Sequence, residues 1–156
     1  MEDIMDFKRG IAVIVTLMIL LGTVKIFGTY EGISNIITTV SLNFNIDIPE
    51  PYRVDYNESN YAFFGEKYNF SKLNYDYEGL KKLENFIEWK SGPITDDEIE
   101  KVLRESLIDD EIINAVKENL PAQENIEKHF LVSDQKKALI MLYSQLDDML
   151  YVYEVH

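Results

Sequence analysis

The feature that most constrains this chain is an apolar block near its N-terminus, GIAVIVTLMILLGTVKIF, which spans 18 residues and contains one charge, Lys25. A helix of that length reaches about 27 Å, close to the roughly 30 Å thickness of a bilayer's hydrocarbon core. Such an apolar run also leaves no polar face for water. The sequence therefore predicts a transmembrane helix or signal anchor over residues 10–28, after a cytoplasmic N-terminus at residues 1–9.

The charges around the apolar block predict its orientation. Lys8 and Arg9 precede it, and positive residues tend to remain on the cytoplasmic side of a membrane. We expect a single pass through the cell membrane, with the C-terminal domain outside the cytoplasm. Two alternatives remain: a cleaved signal peptide, which would make the protein secreted, or a buried helix of a soluble protein. Gly28 is the best small residue available for signal cleavage.

Composition excludes several classes of partner and site. The formal charge is −13, and the residues after Lys25 contain 25 acids against 12 bases. Such a surface repels phosphate backbones and anionic headgroups, so we expect no nucleic-acid partner. Cysteine is absent, which excludes disulfides, thiolate zinc sites and a cysteine nucleophile.

A change of pattern marks the start of the predicted domain. Residues 29–39 read as a connector with isoleucines at helical spacing, and residues 40–156 as an extracytoplasmic α+β domain. Apolar and polar residues alternate strictly over residues 40–48, which predicts a strand with one buried face. Pro49 and Pro51 would end that strand, because proline donates no ladder hydrogen bond.

The sequence predicts further strands and one helix between Tyr52 and the Gly92-Pro93 pair. Tyr52 to Tyr56 alternates as a strand, NESN resembles a turn, and the aromatic stretch that follows predicts two strands broken at Gly65. A helical period begins at Asp76 and is expected to end at SGP, with Gly92 in the left-handed position.

The stretch PITDDEIEKVLRESL contains the clearest local signal. Thr95 and Glu98 form a capping box, and Ile94 and Ile99 occupy the hydrophobic staple positions. A similar acidic start, DDEIINAVKENLP, predicts another helix, which Pro121 ends. The residues expected to face inward on these two helices are Ile99, Val102, Leu103, Leu107, Ile112, Ile113, Val116 and Leu120.

The C-terminal segment admits two interpretations. Leucines at helical spacing would suit a helix over residues 135–150. The stretches SDQKK and QLDD resemble evenly spaced turns, however, and MLYVYEV is rich in residues that favour strands. We therefore predict three antiparallel strands. The whole chain is then an N-terminal transmembrane helix followed by an α+β domain with an antiparallel sheet and two or three helices.

The order of YAFFGEKYNF, WKSGPI and ALIMLYSQLDDMLYVYEV resembles small membrane-anchored or secreted proteins of low-GC Gram-positive bacteria. The resemblance covers Leu42 to the C-terminus. Many of those proteins have a fuller Gly-Phe-His-Gly-Asp-Gly turn where this chain has AFFGEK. The resemblance supports the fold and implies no activity.

No catalytic, cofactor-binding or metal-binding residues are predicted. The chain lacks phosphate-binding glycine loops and a nucleophile elbow, and its two histidines, His129 and His156, do not have metal-ligand spacing. Trp89, the only tryptophan, is expected to fill the core. Asn57 and Asn69 match the glycan acceptor pattern, which is too common to be decisive.

The leading functional hypothesis is therefore a binding or protein-interaction module with a protein partner in the membrane or envelope. The chain's ten tyrosines would suit protein recognition if some were exposed. One alternative is an anchored or secreted hydrolase that uses a carboxylate pair, and another is a small subunit of a membrane assembly packed through small residues. The candidate pairs are Asp96/Asp97, Asp109/Asp110 and Asp147/Asp148, and the small residues are Gly10, Gly22 and Gly28.

Overall fold

The computed structural model describes residue 33 and residues 35–61, 67–134 and 136–156. These residues form one six-stranded antiparallel sheet flanked by α-helices. The helices are α1 (residues 35–44), α2 (Tyr77–Phe86), α3 (Asp96–Glu105) and α4 (Asp110–Glu118). The strands are β1 (Arg53–Tyr61), β2 (Lys67–Asn74), β3 (Lys90–Ser91), β4 (Ile126–Asp134), β5 (Lys137–Ser144) and β6 (Met149–Val155).

The strands lie in the order β1-β2-β6-β5-β4-β3, and each neighbouring pair is antiparallel. The predicted α+β class is confirmed, and so are the three C-terminal strands joined by two hairpins. The predicted transmembrane segment, residues 10–28, lies outside the described residues and stays a prediction. Within the described part of the chain, no helix combines the length and apolarity needed to cross a membrane.

Helices cover both faces of the sheet, and the strands supply alternate residues to two separate cores. Leu139 and Met141 pack with residues of α1 and α2, on what we term the α1/α2 face. Ile140 and Leu142 pack with residues of α3 and α4, on the α3/α4 face. This alternation follows from the two-residue period of a strand. Because both faces are covered, the middle of β5 is apolar at every position.

The prediction of a strand over residues 40–48 is wrong, because most of that stretch belongs to α1. Ile36 and Val40 are buried against the sheet, whereas Leu42, which the strand prediction placed on the same side as Val40, is 79% exposed. Asn45 follows the last residue of α1. Its φ of 54° is left-handed, and its amide donates to the Ser41 carbonyl at 2.9 Å. Asparagine tolerates that conformation, so it serves as the C-terminal stop.

Three further boundaries differ from the sequence prediction. The NESN stretch lies inside β1, whose backbone pairs with β2, and is not a turn. Helix α2 ends at Phe86, before SGP; Gly92 does have the predicted positive φ, 97°, but it follows β3. Leu107, predicted to be buried, is 73% exposed, because the chain leaves α3 there with a φ of 58°. The predicted break at Gly65 lies outside the described residues.

The predicted capping box is confirmed. The Glu98 amide donates to Thr95 Oγ1 at 3.2 Å, and the Thr95 amide donates to the Glu98 carboxylate at 2.9 Å. Ile94 and Ile99 are each 1% exposed, which agrees with their staple positions. Asp109 caps α4 by accepting from the Glu111 amide at 3.2 Å. These local bonds satisfy amides that have no partner within the helix.

Candidate functional site

A polar cleft lies between α1 and the strands β2 and β6, and we call it the α1 cleft. It has a volume of about 370 Å³. Strand alternation directs Asn69 and Ser71 of β2 and Glu154 of β6 to this face of the sheet. Its other lining residues come from α1, β6 and the start of β2, and are Asn35, Ile36, Thr39, Val152 and Lys67.

Glu154 is the unusual residue of the α1 cleft, because its carboxylate is buried to 3% exposure in an otherwise apolar strand. Two side-chain amides donate to it: Asn43 of α1 and, at 3.2 Å, Asn69 of the neighbouring strand. His156 Nδ1 lies 3.4 Å from Glu154 Oε1. This nitrogen is buried and has no hydrogen-bond partner among the described residues. Fully buried carboxylates are uncommon unless they are paired.

A second cleft, which we call the aromatic cleft, lies on the same face between α2 and the strands β4 and β5. Its volume is about 320 Å³. Aromatic and apolar side chains form much of its wall, and the charged residues Lys81, Glu84, Glu127 and Lys128 also line it. The aromatic and apolar residues are Tyr77, Leu80, Leu83, Trp89 and Tyr143.

Trp89 is fixed in the aromatic cleft by its indole nitrogen, which donates to the Leu83 carbonyl at 3.0 Å. The indole also packs against the core of the α1/α2 face, which agrees with its predicted role in the core. Tyr77, at the start of α2, is 76% exposed. The cleft therefore combines one anchored indole with one exposed phenol ring.

The aromatic cleft has a negative electrostatic environment around Tyr143. Burial is the main cause that raises the pKa of Tyr143, to about 12, and the charges of Asp148, Glu127 and Glu84 raise it further. The Tyr143 hydroxyl donates to Asp148 at 3.5 Å. Lys128 forms an ion pair with Glu84 at 2.5 Å. The phenol therefore lies near several carboxylates, one of which is paired with a lysine.

The three acidic pairs proposed for a hydrolase have structural roles. Asp96 lies in the first turn of α3, where it accepts from Gln123 at 2.6 Å, and Asp109 caps α4. Asp147, in the β5–β6 turn, accepts from Ser144 at 3.1 Å and from Tyr151 at 3.3 Å. Among the described residues, no three acids or histidines form a group that could hold a metal ion. The pairs therefore add no support to the hydrolase hypothesis.

The other residues that the sequence singled out also have local roles. His129, in β4, is 6% exposed, and its Nδ1 lies 3.0 Å from the Gly92 carbonyl oxygen. This contact links β4 to the turn after β3. Asn69 donates to Glu154 from a strand that is paired on both sides. Both side chains are thus engaged within the domain.

Sequence reasoning missed Glu154 and the two clefts. The available signal was the single acid in the apolar run MLYVYEV. A run without alternating polar residues predicts a strand that is covered on both faces, so an acid within it is expected to be buried. Comparison with protein-family models, with curated proteins and with solved structures finds no match for this chain. The resemblance noted in the sequence therefore stays untested, and function has to be argued from the clefts alone.

Proposed function

We propose that this chain is a membrane-anchored binding module whose acidic extracytoplasmic domain binds a basic segment of a partner protein in the aromatic cleft. The observation that carries the proposal is the presence of Tyr77, Trp89 and the carboxylates of Glu84 and Glu127 at one cleft, with Asp148 next to Tyr143. The apolar block at residues 10–27 supports a single membrane pass, and Lys8 and Arg9 support the orientation.

The aromatic side chains favour a cationic partner. The face of an aromatic ring attracts lysine and arginine side chains, and tryptophan and tyrosine provide the strongest such surfaces. Tyrosine and tryptophan are also enriched where protein interfaces concentrate their binding energy. Because Tyr77 is 76% exposed and Trp89 is held by the Leu83 carbonyl, a peptide side chain could insert between them with little rearrangement.

The charges around the aromatic cleft favour a basic partner over an acidic one. Burial is the main cause that raises the pKa of Tyr143, and the charges of Asp148, Glu127 and Glu84 raise it further, which supports a site with carboxylates close to the phenol. Lys128, one of the bases in the wall, is already paired with Glu84. The formal charge of −13 extends this potential over the whole chain and would accelerate encounter with a positive segment.

Trp89 provides a direct assay, because it is the only tryptophan and it lines the aromatic cleft. The full chain, purified in a mild detergent, is titrated with tetra-arginine amide while its tryptophan fluorescence is recorded. We expect a saturable change that weakens as salt is added, since the contact involves charge. Tetra-glutamate should produce no such change. An absent or non-saturable response to tetra-arginine would contradict the proposal.

Matched variants separate binding at the cleft from general attraction to an acidic protein. Tyr77→Ser should weaken binding severalfold, whereas Tyr52→Ser, which alters a tyrosine that is 73% exposed and does not line the cleft, should not. Glu127→Gln should weaken binding more than Glu118→Gln, which removes the same charge from α4 on the other face. Equal effects within either pair would assign the response to overall charge.

The proposed topology has its own test. A C-terminal tag is added to the chain, and intact cells with a protease-permeable outer envelope are treated with protease. The tag should be lost while a cytoplasmic marker survives. Survival of the tag would contradict the extracytoplasmic location. Recovery of the tagged domain in the medium, free of residues 10–28, would instead favour the secreted form.

A further inference from the structure

The α1 cleft contains a negative charge that the protein itself only partly compensates. The carboxylate of Glu154 is 3% exposed, and its described hydrogen bonds come from the neutral amides of Asn43 and Asn69. Burying a carboxylate costs free energy, which hydrogen bonds and a nearby positive charge offset. Neutral amides provide the hydrogen bonds without the charge.

His156 supplies that charge only when its imidazole is protonated. Among the described residues, it is the one base found within 4.0 Å of the Glu154 carboxylate, at 3.4 Å. Its Nδ1 is buried and makes no hydrogen bond to the described residues. When the imidazole is neutral, Glu154 has its two amide donors and no close cation in this part of the chain. A carboxylate accepts about four hydrogen bonds, so acceptor capacity also remains.

We propose that the α1 cleft is a binding site for a small organic amine, whose ammonium group pairs with Glu154. The ammonium has three N–H donors that need acceptors. Glu154 provides one acceptor, and the hydroxyl oxygen of Thr39 provides a second. The Thr39 hydroxyl donates its own proton to the Asn35 carbonyl at 2.6 Å, so the lone pairs of its oxygen remain available. This arrangement would pair the buried charge and accept two of the three N–H donors of the ligand.

The walls of the cleft define the remainder of the ligand. Ile36 and Val152 line the cleft with apolar surface suited to a short alkyl chain. The volume of about 370 Å³ is at the small end of the range of about 300–1,000 Å³ for ligand pockets. Lys67 also lines the cleft, and its ammonium group provides no acceptor for a second positive group. The ligand class is therefore a small monoamine with an aliphatic body.

Butylammonium chloride is a suitable probe, and the side-chain amides of the cleft are suitable reporters. The full chain in detergent is labelled with ¹⁵N and titrated, and the Nδ2 signals of Asn43 and Asn69 are followed because both amides donate to Glu154. We expect saturable shifts with a dissociation constant of roughly millimolar order, as a ligand of this size allows. Tetramethylammonium, which has the same charge and no N–H donor, should bind at least about tenfold more weakly.

Two variants assign the binding to the carboxylate. Glu154→Gln removes the charge at nearly constant shape and should abolish the saturable shifts, whereas Glu118→Gln, an equal change on the opposite face, should leave them intact. His156→Ala removes the internal base near Glu154 and should tighten binding, and weaker binding would contradict the proposal. Far-ultraviolet circular dichroism verifies that each variant is folded.

Several results would overturn the proposal. The absence of a saturable shift at Asn43 and Asn69 when the wild-type protein is titrated with butylammonium would overturn it. This result does not depend on whether the Glu154→Gln variant folds. Equal shifts from tetramethylammonium or sodium chloride would show only a response to charge. Unchanged binding by a folded Glu154→Gln variant would place the amine elsewhere. The aromatic cleft has different residues and a different reporter, Trp89, so the two proposals fail independently.

Discussion

Helix α1 offers the sharpest test of the structure, because one substitution pair distinguishes the helix from the strand that alternation predicts. Val40 is 0% exposed and packs on the sheet, whereas Leu42 is 79% exposed. In a strand both would share one face, but in a helix they point in different directions. Val40→Ala should therefore destabilise the domain, and Leu42→Ala should not, although the leucine loses the larger side chain.

The expected magnitude follows from burial. Val40→Ala removes two buried methyl groups, worth about 0.8 kcal/mol each. The remaining cavity adds on the order of 1 kcal/mol, while the better helix propensity of alanine returns about 0.5 kcal/mol. The net loss should be about 2 kcal/mol. An exposed change such as Leu42→Ala should stay within about 0.5 kcal/mol.

Urea unfolding of the full chain in a mild detergent, followed by circular dichroism, measures these differences. Thr38→Ala is the matched control, because it replaces another β-branched residue of α1 that is exposed, and so reports the helix-propensity effect alone. Equal destabilisation by Val40→Ala and Leu42→Ala would show that both side chains are buried. In that case the strand would be the correct structure and the argument from α1 would fail.

Three further predictions concern local contacts and titration. Thr95→Ala should lower the free energy of unfolding by about 1 kcal/mol in the same urea assay, because it removes the helix cap; an unchanged midpoint would mean that the cap contributes nothing. The pKa of Glu98 is lowered mainly by its hydrogen bond from the Thr95 backbone, and the pKa of Glu100 mainly by its hydrogen bond from Lys117. Both carboxylates therefore stabilise the fold at a pH above their pKa values in the unfolded chain. This stabilisation is lost as the pH falls through their lower pKa values in the folded protein. Urea unfolding from about pH 7 to about pH 3 should therefore show a smaller loss of stability in a Glu98→Gln/Glu100→Gln variant than in the wild type, and parallel curves would contradict this. Burial and nearby carboxylates raise the pKa of Tyr143 to about 12, so its ¹³Cζ resonance should titrate at a higher pH than those of exposed tyrosines. The Tyr143→Phe variant assigns that resonance. Titration near pH 10 would refute the described environment of the phenol.

Local interactions account for the parts of the fold that the sequence predicts well. The capping box joins Thr95 to Glu98, three residues apart, so its partners are visible in the sequence itself. The β5–β6 hairpin is signalled by QLDD, in which Asp148 adopts a left-handed φ of 51° and Asp147 accepts two hydroxyl hydrogen bonds. Turns of this kind depend on residues close in sequence, and their chemistry is recognisable without the fold.

The error at residues 40–48 has a physical cause. Val40, Phe44 and Ile48 lie four residues apart, and a spacing of four satisfies both the period of a strand and, nearly, that of a helix. Alternation alone could not decide between them. The helical spacing upstream, at Ile36 and Val40, and the stop at Asn45 were the distinguishing features. The covered faces of β5 similarly made the C-terminal segment ambiguous between helix and strand.

The candidate sites were beyond sequence reasoning because their residues are distant in the chain. Asn69 and Glu154 are direct cross-strand neighbours, although 85 residues separate them, and Asn43 reaches the same carboxylate from α1. The aromatic cleft likewise combines α2 with β4 and β5. Such constellations depend on strand order, which no local pattern in this sequence specifies.

The position of β6 between β2 and β5 also determines when the domain can fold. The first hairpin, β1–β2, must wait for a partner strand that is made after α2, α3, α4 and three more strands. Until then one edge of β2 exposes unpaired backbone groups, which are prone to associate with other chains. Sheets closed by such distant pairing form slowly. During synthesis, the β1–β2 pair therefore has an open strand edge until β6 is complete, and exposed edges of this kind favour association with other chains.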